Sequence, residues 1–123
     1  MGSEEEPLSQ QDDCLFCKIV AGEIPSDKVL ESDSAYAFRD INPGAPTHVL
    51  VIPKRHVPSV HDLTTSDGDE LADLFDVISK VADQEGVADG YRVVTNVGAK
   101  AGQSVFHLHL HVLGGRPLQW PPG

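Results

Sequence analysis

The chain has 123 residues, 40% of them hydrophobic, two cysteines, and a formal net charge of −10 from 19 acidic against 9 basic side chains. That length fits one domain with a real core and is too short for two. The acidic excess argues against a nucleic-acid or membrane-surface partner, because phosphate backbones are bound mainly through Lys and Arg, and an anionic substrate must therefore be held by local donors.

Residues 1–13 are rich in Glu, Gln, Asp and Ser with almost nothing to bury, which predicts a disordered acidic tail ahead of a domain spanning 14–123. No apolar run approaches the roughly 20 residues of a spanning helix, and the acidic N-terminus lacks the layout of a signal peptide, so a cytoplasmic protein is expected. Two cysteines separated by two residues do not make a disulfide framework. Leu15, Phe16, Ile19 and Val20 recur at helical spacing, with Gly22 placed to end a short helix. A Cys-x-x-Cys on such a turn brings both thiols together. Its residue-level readings are two small buried hydrophobes or, less well supported without a preceding parallel strand, a redox pair.

Residues 28–31 and 35–40 read as two short strands joined by Ser32-Asp33-Ser34, a hairpin. Asn42-Pro43-Gly44-Ala45-Pro46 is a strong loop signal, after which residues 47–53 carry the buried-strand run Val49-Leu50-Val51-Ile52. His48 stands near that strand's start, and His56 follows it in a Pro-containing connection. Thr65-Ser66-Asp67 can cap the one long helix, whose apolar positions Leu71, Leu74, Phe75, Ile78, Val81 and Ala82 follow helical periodicity until about Gly86. Residues 91–96 read as a fourth strand. The small-residue loop 97–104 after it can turn backbone N–H groups inward, one way to cradle a phosphate without cations, although a plain turn between strands explains it as well.

The chain is organised around Gln103-Ser104-Val105-Phe106-His107-Leu108-His109-Leu110-His111-Val112-Leu113. On a strand, period-two alternation sends His107, His109 and His111 to one face and Leu108, Leu110 and Val112 to the other. Three buried imidazoles serve burial poorly, since a ring nitrogen without a partner costs on the order of 1–3 kcal/mol. Singly satisfied histidines, a metal site using two or three of them, and catalysis all remain open at this level.

This stretch, continued by Gly114-Gly115, resembles the His-x-His-x-His-x-x signature of the histidine triad (HIT) superfamily, and Trp120-Pro121-Pro122-Gly123 is similar to the terminus of its Hint branch. Gly22-Glu23-Ile24-Pro25, Asp40-Ile41-Asn42-Pro43, Ala45-Pro46-Thr47-His48, Val51-Ile52-Pro53-Lys54 and Gly90-Tyr91-Arg92 extend the resemblance over residues 14–123. It implies an α+β fold with a five-stranded antiparallel sheet, one long and one short helix, and a homodimer with a ten-stranded sheet. The implied activity is hydrolysis of the P–N bond of purine nucleoside 5′-phosphoramidates. In that reading His109 is the nucleophile on the α-phosphorus, with Ser104, His111 and His48 completing the catalytic set. Phe16, Asp40, Ile41, Asn96, Gly102, Gln103 and Val105 join His109, His111 and Ser104 around the nucleotide. The cysteines resemble those of zinc-binding members, which implies a structural Zn²⁺ on Cys14, Cys17, His56 and His107. The competing readings are a metallohydrolase with the triad as ligands, and a nucleotide-binding scaffold without catalysis.

Overall fold

The structure, a computed structural model, describes residues 13–123, so all of the acidic tail except Asp13 lies outside the described residues. Five strands, β1 (Lys28–Glu31), β2 (Ala35–Arg39), β3 (Thr47–Pro53), β4 (Tyr91–Val94) and β5 (Leu110–Gly114), form one sheet in the order β1-β2-β3-β5-β4. Every neighbouring pair is antiparallel. Helix α1 (Leu15–Val20) is short and α2 (Gly68–Gln84) is long, so the expected α+β architecture is present.

The sheet separates two apolar layers. On one side Ala37, Val49, Val51, Leu108, Leu110 and Val112 pack against Leu74, Val77, Ile78 and Val81 of α2. On the other, Phe38, Leu50 and Ile52 pack against Phe16, Cys17 and Ile19 of α1. Alternation along the strands explains the division: Phe38 lies opposite Leu50, which lies opposite His111, and directly paired residues share a face. The second layer is therefore the histidine face. Burying a side chain such as Ile78 contributes roughly 1.5–3 kcal/mol, so the α2 layer supplies most of the framework on which that face rests.

Three expectations are adjusted. The α2 stripe runs through Val77, which is 1% exposed, while Phe75 is 45% exposed; a residue one position from Leu74 is turned about 100° away from the buried seam. The cap begins one residue early: the Thr64 hydroxyl accepts the Ser66 N–H at 3.3 Å and Asp67 Oδ2 accepts the Thr64 N–H at 2.9 Å, opening a 3₁₀ turn over Thr65–Asp67 that continues into α2. Regular pairing of the histidine strand starts only at Leu110. Ahead of it Leu108 N–H donates to Val57 O at 2.6 Å, and the Thr95 hydroxyl donates to His109 O at 2.8 Å. Pro53, which has no N–H to offer, stands where β3 would otherwise continue that ladder.

Side-chain clamps tie the layers. Arg39 holds Glu85 at the end of α2 with two bonds of 2.7 and 2.8 Å, which keeps the Glu85 carboxyl below its ordinary pKa. The hydroxyls of Ser32 and Ser34, in the β1–β2 turn, both donate to Asp73 on α2.

Candidate active site

Helix α1, β2 and β3 supply the walls of a pocket of about 280 Å³ that opens onto the histidine face. Phe16, Phe38, Ile41 and Leu50 form its apolar side, Asp40 and Asn42 its rim, and Ser104, Val105, His109 and His111 its far end. Of the residues the sequence suggested, Phe16, Asp40, Ile41, Ser104, Val105, His109 and His111 are thus brought together. Phe38, Leu50, Leu15 and Ile19 were missed, and for the first two the signal existed: counting alternation on β2 and β3 places them on the face of His111.

Each triad imidazole has a different partner. His109 Nδ1 lies 2.8 Å from the carbonyl of His107; a carbonyl only accepts, so Nδ1 carries the proton and Nε2 of the neutral ring has its lone pair free. The Phe16 ring meets His109 edge-on, with centroids 5.2 Å apart and planes at 88°, and restrains its rotation. His111 Nδ1 is 2.9 Å from His48 Nε2. His48 Nδ1 in turn accepts the Gly44 N–H at 2.8 Å, so the neutral His48 ring has its proton on Nε2 and donates it to His111. His111 is left with Nε2 as its protonated nitrogen. Asp40 Oδ2 is 3.4 Å from His48 Nε2, while its Oδ1 accepts the Asn42 N–H at 2.8 Å.

Burial first, then the neighbouring imidazoles of His109 and His48, hold the pKa of His111 down at about 4, against a smaller upward pull from Asp40. The ordinary histidine value is 6.5, so in this window the unfolded chain binds a proton that the folded one refuses. Thermal stability is expected to fall as pH drops from about 6.5 toward 4, with the full contribution present above that range. Melting curves across this interval for wild type and His111→Gln test it; equal slopes for the two proteins would show that His111 is not responsible.

The loop before the triad divides its donors. The amides of Gly102 and Gln103 go to Ala99 O at 3.0 Å and Gly98 O at 3.1 Å. The Gln103 side chain, 4% exposed, accepts from Gly98 N–H and donates to Pro58 O and Val105 O, so it braces the loop and does not reach the pocket. Among the described residues the Ser104 and Val105 amides have no protein acceptor and are the donors this loop can offer an anion. Asn96 lines a different cavity, of about 510 Å³, together with Arg92, Thr95 and Trp120, and its Nδ2 stands 3.9 Å from where a Cβ on Gly102 would be.

His107 turns away from the pocket. It is 0% exposed, its Nε2 donates to Pro53 O at 2.8 Å, and its Nδ1 therefore presents a lone pair, 3.4 Å from Cys14 Sγ and 3.5 Å from Cys17 Sγ. His56 Nδ1 is 3.4 Å from Cys17 Sγ. The four ligand atoms lie within 4.8 Å of one another, a spacing and an S₂N₂ donor set that fit one tetrahedral ion. The short helix makes this possible, because Cys14 is its N-cap and accepts the Cys17 N–H at 3.3 Å, placing both thiols on one side of the first turn. A second group, Asp40, His48 and His111, is as compact, but His48 Nε2 already holds the proton that the Gly44 contact dictates. Among the described residues no ligand group includes His109, so the three triad histidines do not converge on a shared ion.

Similarity to known proteins follows the same residues. A model of the HIT domain matches residues 21–118. The purine nucleoside phosphoramidase of Escherichia coli K12 is 47% identical over 108 residues, covering 87% of this chain and 91% of that protein. The crystal structure of a HIT family hydrolase from Legionella pneumophila Philadelphia 1 superposes with a TM-score of 0.87 at 50% identity, covering 90% of this chain and 100% of that one. A histidine triad nucleotide-binding protein from Candida albicans gives a TM-score of 0.76 at 37% identity, covering 89% of this chain and 83% of that one. With the triad placed on the walled face of a five-stranded antiparallel sheet and a family match over most of its length, this chain belongs to the HIT domain family.

Proposed function

We propose that the protein hydrolyses purine nucleoside 5′-phosphoramidates, joining the nucleotide transiently to His109. The observation that carries this reading is the 2.8 Å bond from His109 Nδ1 to the His107 carbonyl, which leaves Nε2 as a neutral nucleophile beside the pocket. A neutral nucleophile avoids the repulsion that an anion meets at phosphate. The base stacks among Phe16, Phe38, Ile41 and Leu50, the ribose lies at Asp40, and the α-phosphate lies at the Ser104 and Val105 amides, with Gly102, Gln103 and Asn96 shaping the loop from behind. His109 Nε2 attacks phosphorus, the P–N bond breaks, and the departing nitrogen takes a proton with the Ser104 hydroxyl and His111 Nε2–H as the donors facing it. Water then attacks the nucleotidyl-histidine and gives a proton back, so the cycle yields the amine and the nucleoside monophosphate with no net proton change.

Cys14, Cys17, His56 and His107 would hold one Zn²⁺, supplying folding energy with no open coordination position for chemistry. Turnover of an adenosine phosphoramidate with and without a chelator tests the whole reading. Activity that persists in chelated but folded protein supports it, and no turnover by zinc-loaded protein refutes it.

The homodimer belongs to the same proposal. β4 stands at the edge of the sheet, where a second copy could extend it to ten strands, and Trp120 is 81% exposed on a terminus too rich in proline to pair as a strand. The terminus would then dock near the partner's active site. Light scattering is expected to give twice the monomer mass, and a monomer at working concentration would exclude the arrangement. With a net charge of −10, the partners are small nucleotides and a second copy, not nucleic acid or membrane, and the compartment is the cytoplasm; among the described residues no helix is long and apolar enough to cross a membrane.

A further inference from the structure

β5 ends at Gly114, and the turn beyond it, beginning with Gly115, packs on the loop of residues 42–46 between β2 and β3. Gly115 has φ +92°, and a Cβ there would lie 2.9 Å from the Pro46 Cβ, so glycine is what lets the two segments approach this closely. One residue on, Arg116 Nη2 donates to the Gly44 carbonyl at 2.9 Å, while its Nη1 donates to Pro117 O at 3.1 Å. Gly44 is thereby held by its carbonyl, and its amide donates to His48 Nδ1 at 2.8 Å. An amide N–H can only donate. His48 Nδ1 must accept, His48 Nε2 must carry the proton, and that proton is offered to His111 Nδ1 at 2.9 Å. The nitrogen of His111 left to hold a hydrogen toward the substrate is Nε2. Without the Gly44 amide in place the selection of the His48 tautomer is left to Asp40 Oδ2, 3.4 Å from Nε2, and is weakened, and with it the selection on His111.

We propose that Arg116 is a positioning residue: it clamps Gly44 so that a backbone amide sets the tautomers of His48 and His111 and keeps His111 Nε2–H as the donor to the departing amine. This rests on the reading of His111 as that donor. Arg116 is exposed and outside both apolar layers, so its replacement leaves the core intact.

The test compares two single-turnover rates: amine release from an alkylamine adenosine phosphoramidate, and phenol release from adenosine monophosphate esterified to p-nitrophenol. The phenolate leaves without a proton, and the amine does not. Arg116→Ala is expected to lower the ratio of amine to phenol rates about tenfold, with binding of adenosine monophosphate unchanged, and Arg116→Lys, which retains a cationic donor, to restore most of it. The ¹⁵N imidazole signals of His48 and His111 should show one tautomer in wild type and a mixture in Arg116→Ala. An unchanged ratio, a fall of both rates together, or wild-type imidazole signals in the Ala variant each overturn the role. If wild type released neither amine nor phenol, the phosphoramidase reading would fail, and the imidazole signals would still decide for or against the clamp.

Discussion

His109→Ala is expected to cut phosphoramidate turnover by at least about 10⁴-fold while leaving the affinity for adenosine monophosphate close to wild type. The size follows from what is removed. In the proposed route the ring supplies the atom that forms the covalent bond, and among the described residues no other pocket side chain pairs a bare imidazole nitrogen with a carbonyl-fixed tautomer, since His111 uses Nδ1 toward His48 and His107 uses its own toward the cysteines. Affinity survives because the apolar walls are Phe16, Phe38, Ile41 and Leu50, and the anion donors are the Ser104 and Val105 amides. His109→Asn retains a polar group and still lacks the nucleophile, so it should be as inactive as the Ala variant. Acid-free quenching of wild type with excess substrate should trap a nucleotidylated protein, stable as a phosphoramidate at alkaline pH. Turnover by His109→Ala near the wild-type rate, or a quench that never yields labelled protein, would falsify the covalent route.

The second large effect concerns stability. Zinc on a four-ligand site of this kind contributes on the order of 10 kcal/mol of apparent binding energy, comparable with the whole folding stability of a small domain. Cys14→Ala together with Cys17→Ala should therefore reduce bound zinc from one per chain to none and lower the melting temperature steeply, by more than 10 °C on the order-of-magnitude scale for a domain of this size. A bound ion would staple α1 to the sheet through residues far apart in the chain: Cys14 and His107 are separated by 93 positions, Cys17 and His56 by 39. Freed of it, α1 keeps its apolar contacts with Phe38, Leu50 and Ile52 but loses its polar anchor. Turnover per folded molecule at low temperature should change far less than stability, because none of the four residues lines the pocket that holds His109 and His111. Protein purified without zinc, or a double variant that binds zinc as wild type does, would remove the assignment.

Most of the elements were legible because their signals are local. Strand alternation in Val49-Leu50-Val51-Ile52, the loop residues Asn42-Pro43-Gly44, and the glycines that end α1 and α2 lie within a few residues of the structure they specify. Errors arose where two local signals competed or where geometry intervened. Phe75 and Val77 both satisfy apolarity within a turn of Leu74, and the sheet beneath selected Val77. Period-two alternation predicts a strand from His107 onward, yet ladder pairing waits until Leu110, since Pro53 cannot donate and Thr95 and Val57 take the bonds.

The sequence by itself determined that three histidines alternate with three core residues, that two thiols sit together at the start of a short helix, and that the chain has the motifs of its family. Only the tertiary structure decided what each imidazole does. His107 turns its lone pair to the cysteines because Pro53, 54 residues away, takes its other nitrogen; His109 keeps a lone pair on Nε2 because the carbonyl of His107 takes the proton on Nδ1; His111 keeps its proton on Nε2 because His48, itself set by Gly44, donates to Nδ1. Period-two alternation gives the three side chains the same direction, and a ring nitrogen's role depends on the partner that reaches it, which is a matter of contacts across the sheet and not of position along the strand.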